Sequence, residues 1–160
     1  MNTKSALKIC IDTADMICQA YLGDLTDAEM LHRPHPACNH INWQVGHLIV
    51  SEHQMMCSAK GYSMPALPPG MLEMYSKETQ NSDDPSKFMT KSALMAAMQT
   101  QRAGTLKILE QISDLELDTA TGVDYAPTVG SMLSMQGSHW MMHAGQWVIV
   151  RRNLGKPVLI

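Results

Sequence analysis

The chain has one phenylalanine, Phe88, in 160 residues, and no apolar run approaching the roughly 18 to 20 residues of a membrane span. It lacks a large excess of either charge. The net charge is −3, which argues against a nucleic-acid or anionic-membrane surface. There is no CxxC pair. Cys10, Cys18, Cys38 and Cys57 are widely spaced, as expected of reduced, mostly buried thiols rather than of a disulfide framework. The first residues, MNTKSALKICIDTADMIC, include acids and no continuous apolar stretch, so no signal peptide is expected and a cytoplasmic setting is. No stretch alternates in the manner of a strand. What stands in for the missing aromatics is methionine, fifteen in all, which packs irregular gaps and tolerates several arrangements. It reads as core filler, or as the lining of an adaptable pocket.

The length fits one domain spanning residues 1–160. Residues 3–22 place Leu7, Cys10, Ile11, Ala14, Ile17, Cys18 and Tyr21 at helical spacing, and Gly23 follows as a stop. Thr26 and Glu29 form a capping-box pattern that should start a short turn, and the proline-rich HRPHPACNH stretch should be a loop. A second long helix is expected over 41–59, with Asn39 or Asn42 near its start. Residues 60–84 are broken by Gly61, Pro65, Pro68, Pro69 and Gly70 but carry apolar anchors, which predicts an ordered cover over one end. A third helix should open at Asp84-Pro85-Ser86 and run over 87–112. After an acidic turn at 114–118, Thr128 should cap a last helix over 129–153, which Gly155 and Pro157 terminate. The expected architecture is an all-α four-helix bundle with a long connection between its second and third helices.

The last helix carries the most specific signal. Its inward stripe is Val129, Met132, Leu133, Gln136, His139, Trp140, His143, Trp147 and Val150, so polar groups stand where a bundle wants apolar ones. At i, i+4 the two histidines point only about 40° apart, one turn above the other, and can reach one cation. Gln146 projects about 20° from His139, placed to order a water or a substrate. An HxxxH pair also arises by chance, and a third ligand must come from elsewhere. In the second helix His47 lies on an apolar face between Trp43 and Val50, His53 points well away and looks exposed, and His40 sits at the helix start. His47 taken alone also reads as a core histidine satisfied by a hydrogen bond. With two further histidines facing the core, though, three buried imidazoles without an ion would need several partners. A rival set, His32, His35, Cys38 and His40, falls in the proline loop with no second ligand pair at zinc-finger spacing.

The segments INWQVGHLIVSE and SHWMMHAGQWVIVRRNLGKP, with the order and spacing around them, resemble the DinB/YfiT-like superfamily of metal-binding four-helix bundles. The likeness runs over essentially the whole chain, but only these two segments are specific. It implies His47, His139 and His143 as ligands of one divalent metal with open positions, and it implies nothing for His40, His53 or the HRPHPACNH loop. Members are often homodimers.

Three neutral nitrogens leave a divalent ion its full charge and at least one open position, the catalytic rather than the structural pattern. Zinc or nickel suit such a set best, and iron or copper also fit. An open Lewis acid can activate water or hold a thiol as thiolate. A clear general base is missing: there is no HExxH, and Glu52 and Asp124 are only positional candidates. The resemblance implies transferases that use a low-molecular-weight thiol, such as bacillithiol or mycothiol, on small electrophiles. That function is expected here, ahead of a metal-dependent hydrolase of small molecules and a non-catalytic, stress-related metal protein. Trp43, Tyr62, Tyr75, Gln136 and Gln146 are the candidates for the substrate pocket. Trp43, Trp140 and Trp147 also serve simply as core packers. Arg151 and Arg152 are expected to complement the dipole of the last helix or to grip an anionic thiol, and Arg102 to snorkel.

Overall fold

The computed structural model describes residues 1–59 and 61–159. Four long helices, Thr3–Gly23 (α1), Ile41–Cys57 (α3), Lys91–Gln111 (α5) and Val129–Asn153 (α7), form the frame. Short helices Asp27–Met30 (α2), Met71–Met74 (α4) and Asp114–Leu117 (α6) and a 3-10 turn, Pro85–Lys87, sit in the connections. The fold is all-α, with no strand among the described residues, and no described helix is long and apolar enough to cross a membrane.

Caps explain most of the helix ends. Thr26 and Glu29 close the expected box on α2, Ser113 and Glu116 do the same on α6, and Thr128 caps α7. α3 starts at Ile41, as expected, with His40 as its cap, the ring Nδ1 accepting from the Trp43 amide at 3.0 Å. The two asparagines near that start hold other groups. Asn39 O receives Gln44 Nε2, and Asn42 Nδ2 donates to Met89 O. Asp84 opens only the 3-10 turn. α5 begins at Lys91 under a Thr90 cap, because Phe88 is extended and the Met89 amide is committed to Tyr75 Oη.

Contacts between helices fix their directions. Asp15 meets Arg102 while Lys91 reaches Gly23 O, so α1 and α5 are antiparallel. Gln44 meets His143 and Glu52 meets Trp140, so α3 and α7 are also antiparallel. Asn42 meets Met89 and Glu52 meets Thr105, which makes α3 and α5 parallel. That parallel pair is why residues 58–90 are long: they must return the chain along the whole bundle before α5 can start. The returning segment is seated by two glycines. A Cβ on Gly46 would lie 2.1–2.3 Å from ring carbons of Tyr75, and one on Gly104 would lie 2.5 Å from Pro65 Cδ. Tyr75 is buried against α3, and its hydroxyl donates to Asn42 Oδ1.

The core divides in two. One apolar cluster gathers Leu22, Leu48, Tyr75, Leu94, Trp140 and Trp147, and the other gathers Ile11, Met56, Ile108, Leu109 and Leu133. A buried polar layer built from all four long helices accompanies them. Arg102 Nε donates to Asp15 Oδ1 at 2.9 Å, and its Nη1 lies 3.2 Å from Glu52 Oε1, within ion-pair range but not aligned as a hydrogen bond. Glu52 also accepts from Thr105 Oγ1 at 2.6 Å and Trp140 Nε1 at 3.1 Å. Arg102 is therefore a buried ion-pair centre, not a snorkelling side chain. Arg151 is likewise fully buried, bonded to Asp24 and to Tyr21 O, and is not available to grip a cofactor. The cysteines also depart from expectation. Cys10, Cys38 and Cys57 are exposed, and only Cys18 is buried, its thiol pushed up to about 12 by burial and by nearby Asp15. Cys10 misses the core because α7 packs on its backbone, where Gly137 approaches the Cys10 carbonyl.

Candidate metal centre

α3 and α7 bring three histidines together. The ring centroids of His47 and His139 are 5.6 Å apart, those of His47 and His143 5.8 Å, and those of His139 and His143 5.1 Å. One nitrogen from each lies within 4.8 Å of the other two. Among the described residues this is the one group of His, Cys, Asp or Glu side chains that can hold a metal ion. His32, His35, Cys38 and His40 form no such group. His40 caps α3 with one nitrogen and meets Ser82 O with the other, and His35 Nδ1 accepts from the Ala37 amide. His53, expected to be exposed, is half-buried and bonded to Gln101.

The electrostatics suit the task. Burial, followed by the charges that His139 and Lys77 would present, holds His47 below the usual imidazole range, and burial does the same to His139. Burial and then the two neighbouring imidazoles push His143 down to about 4. All three rings are thus neutral at physiological pH, the form that binds a cation through nitrogen. The donor set fits a divalent ion: three neutral nitrogens, close enough to converge on one point, and no carboxylate among them.

Two neighbours aim the rings. Gln44 Nε2 donates to Asn39 O at 2.7 Å, which turns Gln44 Oε1 toward α7. That oxygen lies 2.9 Å from His143 Nδ1 and 3.0 Å from Trp147 Nε1. Since an amide oxygen only accepts, His143 Nδ1 carries the proton and Nε2 is left for an ion. His47 stacks on Trp43 with centroids 5.0 Å apart and planes 4° from parallel, and Trp43 Nε1 in turn donates to Ser76 O and Thr79 Oγ1 of the connection. Gln44 is the residue that sequence reasoning missed. Its signal was an amide, with Asn42 one of two, in the mostly apolar stretch Ile41–Val50, one turn before fully buried Leu48.

A cleft of roughly 390 Å³ opens beside His47, between α3 and the connection. Trp43 and Tyr75 line it, as do Gln54, Leu72, Lys77 and Gln80, four groups that periodicity did not single out. The other substrate-pocket candidates lie elsewhere. Tyr62 bonds Glu116 and lines a separate hollow with Ala59 and Ile112; Ala59 is about 18 Å along the α3 direction from His47. Gln136 is buried and donates to Met132 O, and Gln146 is exposed to solvent. Neither carboxylate weighed as a base lines the cleft: Glu52 is locked in the polar layer and Asp124 is exposed in the α6–α7 connection. A larger concavity, about 640 Å³, lies between α1 and α5 near Lys4, Lys8 and Lys107, away from the α3–α7 side that carries the histidines.

Comparison with known proteins bears on the family and the fold. The model of the DinB superfamily matches residues 11–147. A crystal structure described as a conserved protein from Enterococcus faecalis superposes with a TM-score of 0.72 at 20% identity, covering 98% of this chain and 99% of that one. At that identity the likeness speaks to the fold. No curated protein matches the chain.

Proposed function

The chain belongs to the DinB superfamily, and from that premise we propose that it is a metal-dependent transferase that joins a low-molecular-weight thiol to a small electrophile. His47, His139 and His143 hold the ion, zinc or nickel. The observation that carries this reading is the convergence of three uncharged imidazoles, one of which, His47, lines a cleft whose lining has no carboxylate. A divalent ion held by neutral donors keeps its full charge and, when bound, makes a thiol acidic enough to react at neutral pH.

The chain's own residues supply positioning. Gln44 keeps the Nδ1 proton on His143, and Trp43 fixes the plane of His47. Tyr75 and the connection wall the cleft, and Lys77 on its rim can pair with a carboxylate of an anionic thiol. Lack of a lining carboxylate favours a thiol over water, because a free thiol, near pKa 8.5, needs far less help to ionise than water does. The thiol proton passes to solvent, the sulfur bonds to the electrophilic carbon, and the bond to the leaving group breaks with its electron pair going to that group.

The test is thiol-dependent consumption of an electrophile by metal-loaded protein. It should disappear on chelation and in His143→Ala. Undiminished activity in that variant would refute the mechanism. Turnover without thiol would identify a hydrolase, and metal binding without any turnover would identify a sensing or storage role. The same reading includes a homodimer. Ile9 and Met16 on α1 and Met142 and Ile149 on α7, each pair seven residues apart and exposed, supply an apolar face for it. Light scattering of wild type and Met142→Lys tests that face.

A further inference from the structure

The thiol of Cys57 lies 3.5 Å from Nε2 of His53, one turn earlier on α3. The other ring nitrogen, Nδ1, lies 3.0 Å from Oε1 of Gln101 on α5. Gln101 is 1% exposed, and its Nε2 donates to Pro65 O at 2.9 Å and lies 3.5 Å from Ala66 O. Those two carbonyls settle which way the amide faces, because only its nitrogen can donate to them. Oε1 therefore faces His53, and His53 must carry its proton on Nδ1. The lone pair on Nε2 is left pointing at the Cys57 thiol.

We propose that Cys57 is a nucleophilic thiol, served by His53 as base and by Gln101 as the group that positions it, which exchanges with low-molecular-weight disulfides. Nucleophile, base and orienting group stand in the order such chemistry requires. The neighbouring contacts do not explain the pair structurally. Gln101 anchors the connection through its amide nitrogen, but exposed Cys57 adds nothing to the core. Cys57 also ends α3, where a helix favours cations over anions. The arrangement thus suits proton transfer to His53 during attack. The site is separate from the three-histidine centre. His53 is six residues beyond His47, about 9 Å along α3 and about 120° round it, on the side that faces α5.

The step is balanced without an outside oxidant. The Cys57 proton passes to His53 Nε2 as the sulfur forms a bond to one sulfur of the disulfide. The S–S bond breaks, its electron pair leaves on the departing sulfur, and that sulfur takes the proton from His53. One disulfide and one thiol go in, and one mixed disulfide on Cys57 and one small thiol come out.

The experiment uses the full chain with Cys10→Ser and Cys38→Ser, so that Cys57 is the one exposed thiol and Cys18 stays buried. The probes are glutathione disulfide, read by mass spectrometry, and a chromogenic aromatic disulfide, read by stopped flow. At neutral pH, His53→Gln should slow the reaction about tenfold or more, and Gln101→Leu should slow it less. In strong base all three proteins should react alike, because hydroxide then takes the thiol proton and no internal base is needed. A chelator should change nothing. Equal rates at neutral pH would overturn the proposal, as would a loss in His53→Gln that persists at high pH and so reports a structural defect. Loss of reactivity on chelation would assign the thiol chemistry to the metal centre and overturn it too.

Discussion

Gln44→Leu isolates what a residue outside the ligand set contributes. The leucine keeps the volume of the side chain but removes the oxygen that fixes the His143 ring and the Trp147 indole. Outer partners of ligating histidines are worth 10- to 100-fold in metal affinity. The expected loss is therefore about 1.4–2.8 kcal/mol of binding. Stability should fall as well, because Trp147 is fully buried and its N–H loses its acceptor, at about 1–3 kcal/mol. Competition against a chelator of known affinity, on folded protein at neutral pH, separates the two effects. Gln44→Glu is the control. It keeps an acceptor toward His143 and Trp147 while placing an oxygen against Asn39 O, so it should bind metal at least as well as wild type but fold less stably. Affinity in Gln44→Leu within twofold of wild type would show that His143 does not bind through Nε2, and the argument from the tautomer would fall.

Gly46→Ala should destabilise by about 1–3 kcal/mol in urea unfolding, since the new methyl meets the buried Tyr75 ring; unchanged stability would mean the connection is not seated there. Arg102→Met should cost about 3–5 kcal/mol by stranding Glu52 and Asp15, and adding Glu52→Gln should recover part of it, read by a double-mutant cycle. Burial, and then the charge of Arg33, holds His40 down to about 4. The ring is fully satisfied as a neutral acceptor for Trp43 N and donor to Ser82 O. A depressed histidine binds its proton more weakly folded than unfolded, so its stabilisation is present above about pH 6.5 and is lost as pH falls toward 4. The loss is on the order of 3 kcal/mol, and His40→Gln should make the apo-protein's stability profile shallower across that window, with the depressed His143 keeping part of the slope.

The bundle was legible because its cues are local. Helical spacing, the Thr26 and Thr128 caps and the prolines of the connection each act within a few residues. The His139–His143 pair was legible for the same reason: one turn of helix brings two imidazoles together whatever else the fold does. The pairing of His47 with them depends on how α3 lies against α7, which spacing within one helix does not contain, and the family resemblance supplied it. The misses share a cause. Gln44, Glu52 and Arg102 are polar residues whose burial is made tolerable by partners on other helices, so their sequence neighbourhoods carry no trace of those partners. Tyr62 and Tyr75 look equivalent as aromatic anchors of one segment. The returning chain lays Tyr75 on Gly46 beside the histidines and carries Tyr62 to Glu116 at the other end.

The central claim is that His47, His139 and His143 form one metal site. Elemental analysis of freshly purified protein beside His47→Ala, His139→Ala and His143→Ala tests it most directly. The account predicts one equivalent of a divalent transition metal per wild-type chain and its loss in each of the three variants, all of which should still show the helical signal of the bundle. Metal held at full stoichiometry in all three, or a wild-type protein that takes up none when zinc and nickel are supplied, would contradict it.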